Sequence, residues 1–330
     1  MKRLLCMLLA LVMVLAAFSG CGQQEPQETT EAPAPTQSPE EADVLKIIVI
    51  GNSHGNDAMW LMKEVFKDQM PDQEVVICSL YYSGCSVTRH VQHATQNMAV
   101  YDLNINFNGT WETTEETTLE TALYNQAWDI VVFQGGRGDS DKEYNIQNRR
   151  ILEQYVSERV KQPYTTMWHI TWPSPSEPTF YDPSYRVQPP SGWVEYLAEY
   201  DNDPYKQFVV MTDKAKEYLV TDDTYEKVIC SGAGVMNALA VSGVPQLDLW
   251  RDYTHLSDYG RLIAAYSFYA QLMGKEITEI NLDKIPASLR QRYFRDLGDL
   301  VITDEMKQVI ITAANASLED PWTPPANPAN

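Results

Sequence analysis

The sequence predicts an α/β chain built on an open, wound parallel sheet, and three observations predict it. From residue 44 onward, short β-branched runs alternate with longer amphipathic ones. The short runs are apolar almost throughout, as strands covered on both faces are, and do not alternate apolar with polar. They end in small and polar residues, where the strands of such sheets feed ligand-binding loops.

Taken in order, Leu45–Ile50 reads as a buried strand stopped by Gly51, and a helical pattern runs from about Ala58 to Gln69, halted by Pro71. Glu74–Tyr81 is a second strand, and Trp128–Gln134 a third, ended by Gly135-Gly136. Tyr164–Ile170 and Glu226–Cys230 supply a fourth and a fifth. Helical stretches lie near 143–161 and 205–219, and an amphipathic helix spans Asp258–Met273, closed by Gly274. Residues 101–121, with several Thr and Glu, read as a surface excursion in which Asn108-Gly109-Thr110 matches a glycosylation acceptor by accident. Residues 172–204 are rich in Pro, Tyr and Trp and too long for an ordinary connection. They form either a binding surface or an ordered insertion. No repeat interrupts the globular stretch, so 44–315 is expected to be one domain, with 316–330 as a tail.

The start of the chain has a different character. Lys2 and Arg3 precede an apolar run from Leu4 to Phe18, with Ser19-Gly20 just before Cys21. A run of that length is short of the ~20 apolar residues that span a bilayer, and it reads as a secretion signal over 1–20. Residues 22–43 carry no aromatic and no basic side chain and are rich in Pro, Glu, Gln and Thr. Such a segment cannot bury enough apolar surface to fold, and 21–43 is expected to be a disordered leash reaching roughly 25 Å.

The formal net charge of −20 argues against nucleic acid and other polyanions as partners. Cys78, Cys85 and Cys230 follow Cys21 in an odd number that frames neither a disulfide set nor a Cys-x-x-Cys metal site. Buried thiols are the simpler reading. His90 and His93 have helical ligand spacing but no third ligand motif, and Gly135-Gly136-Arg137-Gly138 lacks the Lys of a phosphate loop. No metal or organic cofactor is expected.

The polar strand endings hold a complete set for nucleophilic catalysis. Gly51-Asn52-Ser53-His54-Gly55 follows the first strand, Ser83-Gly84-Cys85-Ser86 the second and Gln134-Gly135-Gly136 the third. Asp252 and His255, three residues apart, stand far downstream before the Asp258 helix. A serine on a tight strand-to-helix turn exposes its hydroxyl, and a neighbouring carboxylate can orient the imidazole that activates it. Ser53 taken alone could instead be a helix N-cap. Gly-Asn-Ser-His-Gly also fits the α/β-hydrolase nucleophile elbow, but there the acid and the histidine are usually far apart.

Ile50-Gly51-Asn52-Ser53, Gly84-Cys85-Ser86 and Asp252-x-x-His255 resemble the first, second and last blocks of the SGNH (GDSL-like) hydrolases, over about residues 45–275. The match is best to a bacterial subgroup with Gly-Asn-Ser at the nucleophile. The resemblance implies a flavodoxin-like three-layer α/β/α fold, with Ser53 as nucleophile, His255 as base and Asp252 as the carboxylate that sets its tautomer. It implies backbone N–H groups of Ser53 and Gly84 in the oxyanion hole. Where the family has Asn in its third block this chain has Gln134, one methylene longer, as the expected third donor. His54, His169 and Trp172 are expected at the substrate rim, with a second-shell place open to His54 and a core place open to His169. Ala17-Phe18-Ser19-Gly20-Cys21 resembles the lipobox of bacterial lipoproteins, which implies a diacylglyceryl lipid on Cys21.

The expected function is therefore hydrolysis of an acyl ester, with acetyl groups on glycans as the candidate substrate, through an acyl-Ser53 intermediate. The expected place is the extracytoplasmic face of the cell membrane. The alternative is a non-catalytic lipoprotein that captures a glycan or small solute on the same fold.

Overall fold

The computed structural model describes residues 44–136, 139, 145–176, 191–241, 243–292 and 294–326. The segments expected to be a signal, a Cys21 anchor and a leash, and residues 177–190 of the expected insertion, lie outside the described residues. At the centre is a seven-stranded sheet in the order β4-β3-β2-β1-β5-β6-β7. Its strands are β1 (Leu45–Gly51), β2 (Val75–Tyr81), β3 (Tyr101–Asn106), β4 (Trp111–Thr117), β5 (Ile130–Phe133), β6 (Thr165–Ile170) and β7 (Lys227–Cys230). β1 pairs in parallel with β2 and β5, with Ile50 opposite Leu80 and Phe133. β6 and β7 continue in parallel, so the sheet has the wound α/β architecture expected.

Near-continuous apolar sequence makes β1 the keel: Ile47, Ile48, Val49 and Ile50 have no exposed surface. Burying each such side chain contributes roughly 1.5–3 kcal/mol. The chain moves from β1 toward β2 on one side and returns to β5 on the other. In open α/β sheets a ligand crevice opens at such a reversal, beyond the carboxyl ends of the strands. Ser53 follows the end of β1 there.

The helices α1 (Ser53–Met59), α2 (Met62–Gln69), α3 (Val87–Thr95), α4 (Leu119–Asn125) and α5 (Ile146–Ser157) lie in the first half of the chain. After them come α6 (Ser191–Ala198), α7 (Pro204–Ala215), α8 (Ser231–Ala240), α9 (Gln246–Leu249), α10 (Asp258–Met273) and α11 (Asp304–Glu319). α10 packs on α1, α2, α8 and α11, and α3 packs on α5. Local chemistry sets the ends of α10. Ser257 Oγ accepts the Gly260 N–H at 3.0 Å, and Gly274 closes the helix at φ +61°. Gly260 is required at its place, since a Cβ there would sit 2.1 Å from Leu249 O.

Two expectations are corrected. Residues 101–121 are not a surface excursion: β3 and β4 form an antiparallel hairpin that extends the sheet. β4 is the edge strand, and five of its seven residues are exposed. Glu112, Thr113, Thr114, Glu115 and Glu116 are exposed, and such polar side chains keep an open edge from pairing with other chains. The first helix also starts earlier than Ala58, at Ser53 itself, and breaks near Trp60 before α2. Cys78, Cys85 and Cys230 are all buried and free. Among the described residues no helix is long and apolar enough to cross a membrane.

Candidate active site

Ser53 is the first residue of α1, and the turn carrying it is braced from three sides. Asn52 Oδ1 accepts the His54 N–H at 3.0 Å, capping the helix. Asn52 Nδ2 donates to Cys85 O at 3.0 Å and to Gly135 O at 3.3 Å, tying the loops after β2 and β5 to the end of β1. Gln134 Oε1 accepts the N–H groups of Asn52 and Gly55 at 3.0 and 3.1 Å.

Residues 250–256 form a small loop closed by a bridge between Trp250 and Leu256 and by the Arg251 N–H donating to His255 O at 3.0 Å. Asp252 Oδ1 accepts the N–H groups of Thr254 and His255 at 2.8 and 2.7 Å. Its Oδ2 lies 2.9 Å from His255 Nδ1. His255 Nε2 lies 2.9 Å from Ser53 Oγ, across 202 residues of sequence. Burial raises the Asp252 carboxyl, but hydrogen bonds and charge from His255 and the nearby Arg251 outweigh it and hold the group at about 2. Asp252 is ionised at neutral pH. An anionic carboxylate, an imidazole and a hydroxyl in line can move a proton off the hydroxyl as it attacks.

What holds the loop against α1 is Asp57, one turn beyond Ser53 and 2% exposed. It takes Arg251 Nη1 and Arg261 Nε at 3.0 Å each, Gln291 Nε2 at 3.1 Å and the Leu256 N–H at 3.2 Å. Asp57 was not singled out by the sequence; its signal was a carboxylate four residues after the serine on one helix face. From behind, Trp172 Nε1 donates to Thr254 O at 2.9 Å, and His54 Nε2 lies 2.8 Å from Thr254 Oγ1. The His54 ring stacks on His255 with centroids 5.5 Å apart.

A hollow of about 360 Å³ opens over Ser53 and His255, with Gly84, Ser86 and Gly136 in its wall. Gly84 stands at φ +58°, where a residue with a Cβ is strained. Among the described residues neither the Ser53 N–H nor the Gly84 N–H has a protein acceptor.

Residues 46–290 match the sequence profile of DUF4886, a domain of unknown function. The chain belongs to the DUF4886 family. A DUF4886 protein from Bacteroides uniformis has a solved structure that superposes with a TM-score of 0.69 at 23% identity, over 86% of this chain and 98% of that one. At that identity the likeness speaks for the fold. A catalytic mutant of Axe2, an acetylxylan esterase from Geobacillus stearothermophilus, overlaps at a TM-score of 0.39 and 13% identity, over 70% of this chain and 95% of that one. TesA overlaps at 0.35 and 10%, over 67% and 93%. Likenesses that distant carry no functional weight. No curated protein matches by sequence.

In this DUF4886 chain the expected positions of Gln134 and Trp172 are corrected, and His169 takes the core place left open to it. Gln134 is 2% exposed with its amide engaged, Oε1 as described and Nε2 donating to Gly135 O. It is a strut beneath the nucleophile turn, and it is not among the residues that line the hollow over Ser53. Gly51 and Gly55 leave room for it, since a Cβ on Gly51 would lie 2.5 Å from Gln134 Oε1. His169 is 1% exposed, with Nε2 at 2.7 Å from Ser231 Oγ and its ring against Phe268. Trp172 has no exposed surface. Both are core side chains and not a rim, since neither reaches solvent and neither lines the hollow. His54, 6% exposed, lines the hollow from within and belongs to the support behind His255.

Proposed function

We propose that this protein is a serine ester hydrolase that works through an acyl-Ser53 intermediate. The observation that carries the reading is the contact between Ser53 Oγ and His255 Nε2, backed by ionised Asp252 on Nδ1. Ser53 Oγ attacks the acyl carbon, and its proton passes to His255 Nε2. The carbonyl electron pair moves onto oxygen, where the N–H groups of Ser53 and Gly84 can receive it. Collapse breaks the bond to the alcohol, which leaves with the proton from His255. Water then attacks the acyl-enzyme by the same relay, releasing the acid and restoring the hydroxyl.

With two backbone donors and Gln134 engaged elsewhere, the oxyanion hole lacks the third donor the family resemblance implies. One missing donor typically costs about 2.7–4 kcal/mol, so slow turnover is expected. The reading extends to place and substrate: secretion over 1–20, a lipid on Cys21 and a leash over 22–43 would hold the enzyme outside the cell membrane. Acetyl or similar groups on extracellular glycans are the proposed substrates.

The test compares p-nitrophenyl acetate hydrolysis by wild type, Ser53→Ala and His255→Ala. Wild-type turnover that drops at least ~10³-fold in either variant supports the reading. A wild type no faster than buffer would favour a non-catalytic capture protein. For the anchor, Cys21→Ser should abolish incorporation of radiolabelled fatty acid and release the protein from membranes. Labelling that persists would contradict it.

A further inference from the structure

A second hollow of about 380 Å³ also opens on Ser53 and His255, and its chemistry is different. It is lined by Arg251, Arg261, Arg290, Arg292 and Arg295, with Asp57 as its acidic residue. Five guanidiniums beside one serine is an unusual concentration in a chain with a net charge of −20.

Part of this charge is structural. Arg251 and Arg261 bind Asp57, and Arg290 binds Asp258 at 2.9 Å. Arg295 is different. It is exposed, its Nε donates to Arg290 O at 3.0 Å, and among the described residues no carboxylate lies within ion-pair range. The segment carrying it is fixed to the site, because the Gln291 N–H donates to Asp258 Oδ1 and Gln291 Nε2 to Asp57 Oδ1. Asp57 therefore registers the His255 loop and this arginine rim together. A guanidinium fork suits the planar, two-oxygen face of a carboxylate, sulfate or phosphate.

We propose that this hollow is a subsite for an anionic group carried by the ester, so that the preferred substrates are negatively charged esters. The proposal rests on Ser53 being the nucleophile and adds the substrate class to that reading. The long-range repulsion expected from the acidic chain is overcome locally by the arginine field.

The experiment uses the full chain in detergent and two matched pairs of esters, each rate divided by that of hydroxide hydrolysis. p-Nitrophenyl hemiglutarate against p-nitrophenyl hexanoate places the carboxylate on the acyl side. 4-Acetoxybenzoate against its methyl ester places it on the alcohol side. In at least one pair the anionic ester should lead by roughly 10- to 100-fold in kcat/KM. That lead should shrink as salt rises from about 0.05 to about 0.5 M. Arg295→Glu should reduce the ratio in the same pair, and Arg295→Lys should retain most of it. Turnover of neutral esters with no anionic preference in either pair, or a preference untouched by Arg295→Glu, would overturn the subsite while leaving the hydrolase reading in place. Failure to hydrolyse all four esters would overturn the hydrolase reading and the subsite with it.

Discussion

Asp252→Asn probes the relay with little change of shape. Asp252 Oδ1 holds the Thr254 and His255 N–H groups, and Oδ2 faces His255 Nδ1. An asparagine can keep its Oδ1 on the two backbone donors, which leaves Nδ2 pointing at the imidazole. Two donors cannot share that contact, so Nδ1 gives up its proton and Nε2 must carry it. Nε2 can then no longer accept the Ser53 proton. In enzymes with this relay such a tautomer inversion lowers kcat by about 10⁴-fold, or roughly 5.5 kcal/mol. The fold also loses part of the benefit of an ionised Asp252. A carboxyl held at about 2 against an ordinary value of about 3.9 contributes on the order of 2 kcal/mol, present above about pH 4 and lost as pH falls toward 2. The assay is kcat on p-nitrophenyl acetate, with urea unfolding at pH 7 as the control for stability. Activity within threefold of wild type would refute the relay.

Other predictions concern the scaffold. Asp57→Asn weakens a buried site that Arg251 and Arg261 both pair with, and breaking such pairs typically costs 3–5 kcal/mol; a fall in Tm of less than a few degrees would contradict its role as the tie between α1 and the His255 loop. Gln134→Met removes the acceptor from two buried N–H groups, each costing about 1–3 kcal/mol when unpaired; a catalytic defect with unchanged urea stability would instead restore Gln134 to the oxyanion hole. His90 and His169 are pushed down to about 3 by burial, His90 also by His93. Because both stay neutral when folded, the unfolded chain binds more protons below about pH 6.5. Stability should then be full above that pH and fall toward pH 3 by up to about 1.4 kcal/mol per pH unit for each histidine. Urea unfolding at pH 7 and pH 5 measures this, and His169→Gln should flatten the slope.

The parts of this molecule legible in the sequence are those where one physical requirement dominates. β1, β2, β5 and β6 are near-continuous apolar runs, and α10 carries both a serine cap and a closing glycine, so their positions could be read directly. β4 could not, because it is an exposed edge whose Thr and Glu side chains look like loop sequence, and β3 could not, because Asp102, Asn104 and Asn106 break its apolar run. Ser53, Asp252 and His255 were legible because their residue types and local spacing are chemically restrictive, and the structure brings them into one hydrogen-bonded line. Gln134 was misplaced for the reverse reason. An amide can donate or accept, and only the approach of Gly51 and Gly55 reveals that it faces the turn. Asp57 and the arginine rim depend on contacts spanning 194 and 234 residues, from Asp57 to Arg251 and to Gln291, which no local pattern encodes.

The most direct measurement is mass-spectrometric mapping of the adduct formed with a fluorophosphonate, which reacts with activated serine hydroxyls. A single phosphonyl group on the peptide containing Ser53, absent after heat denaturation and in His255→Ala, is the expected result. An unmodified Ser53 in the native protein, or the adduct on a different serine, would contradict the account.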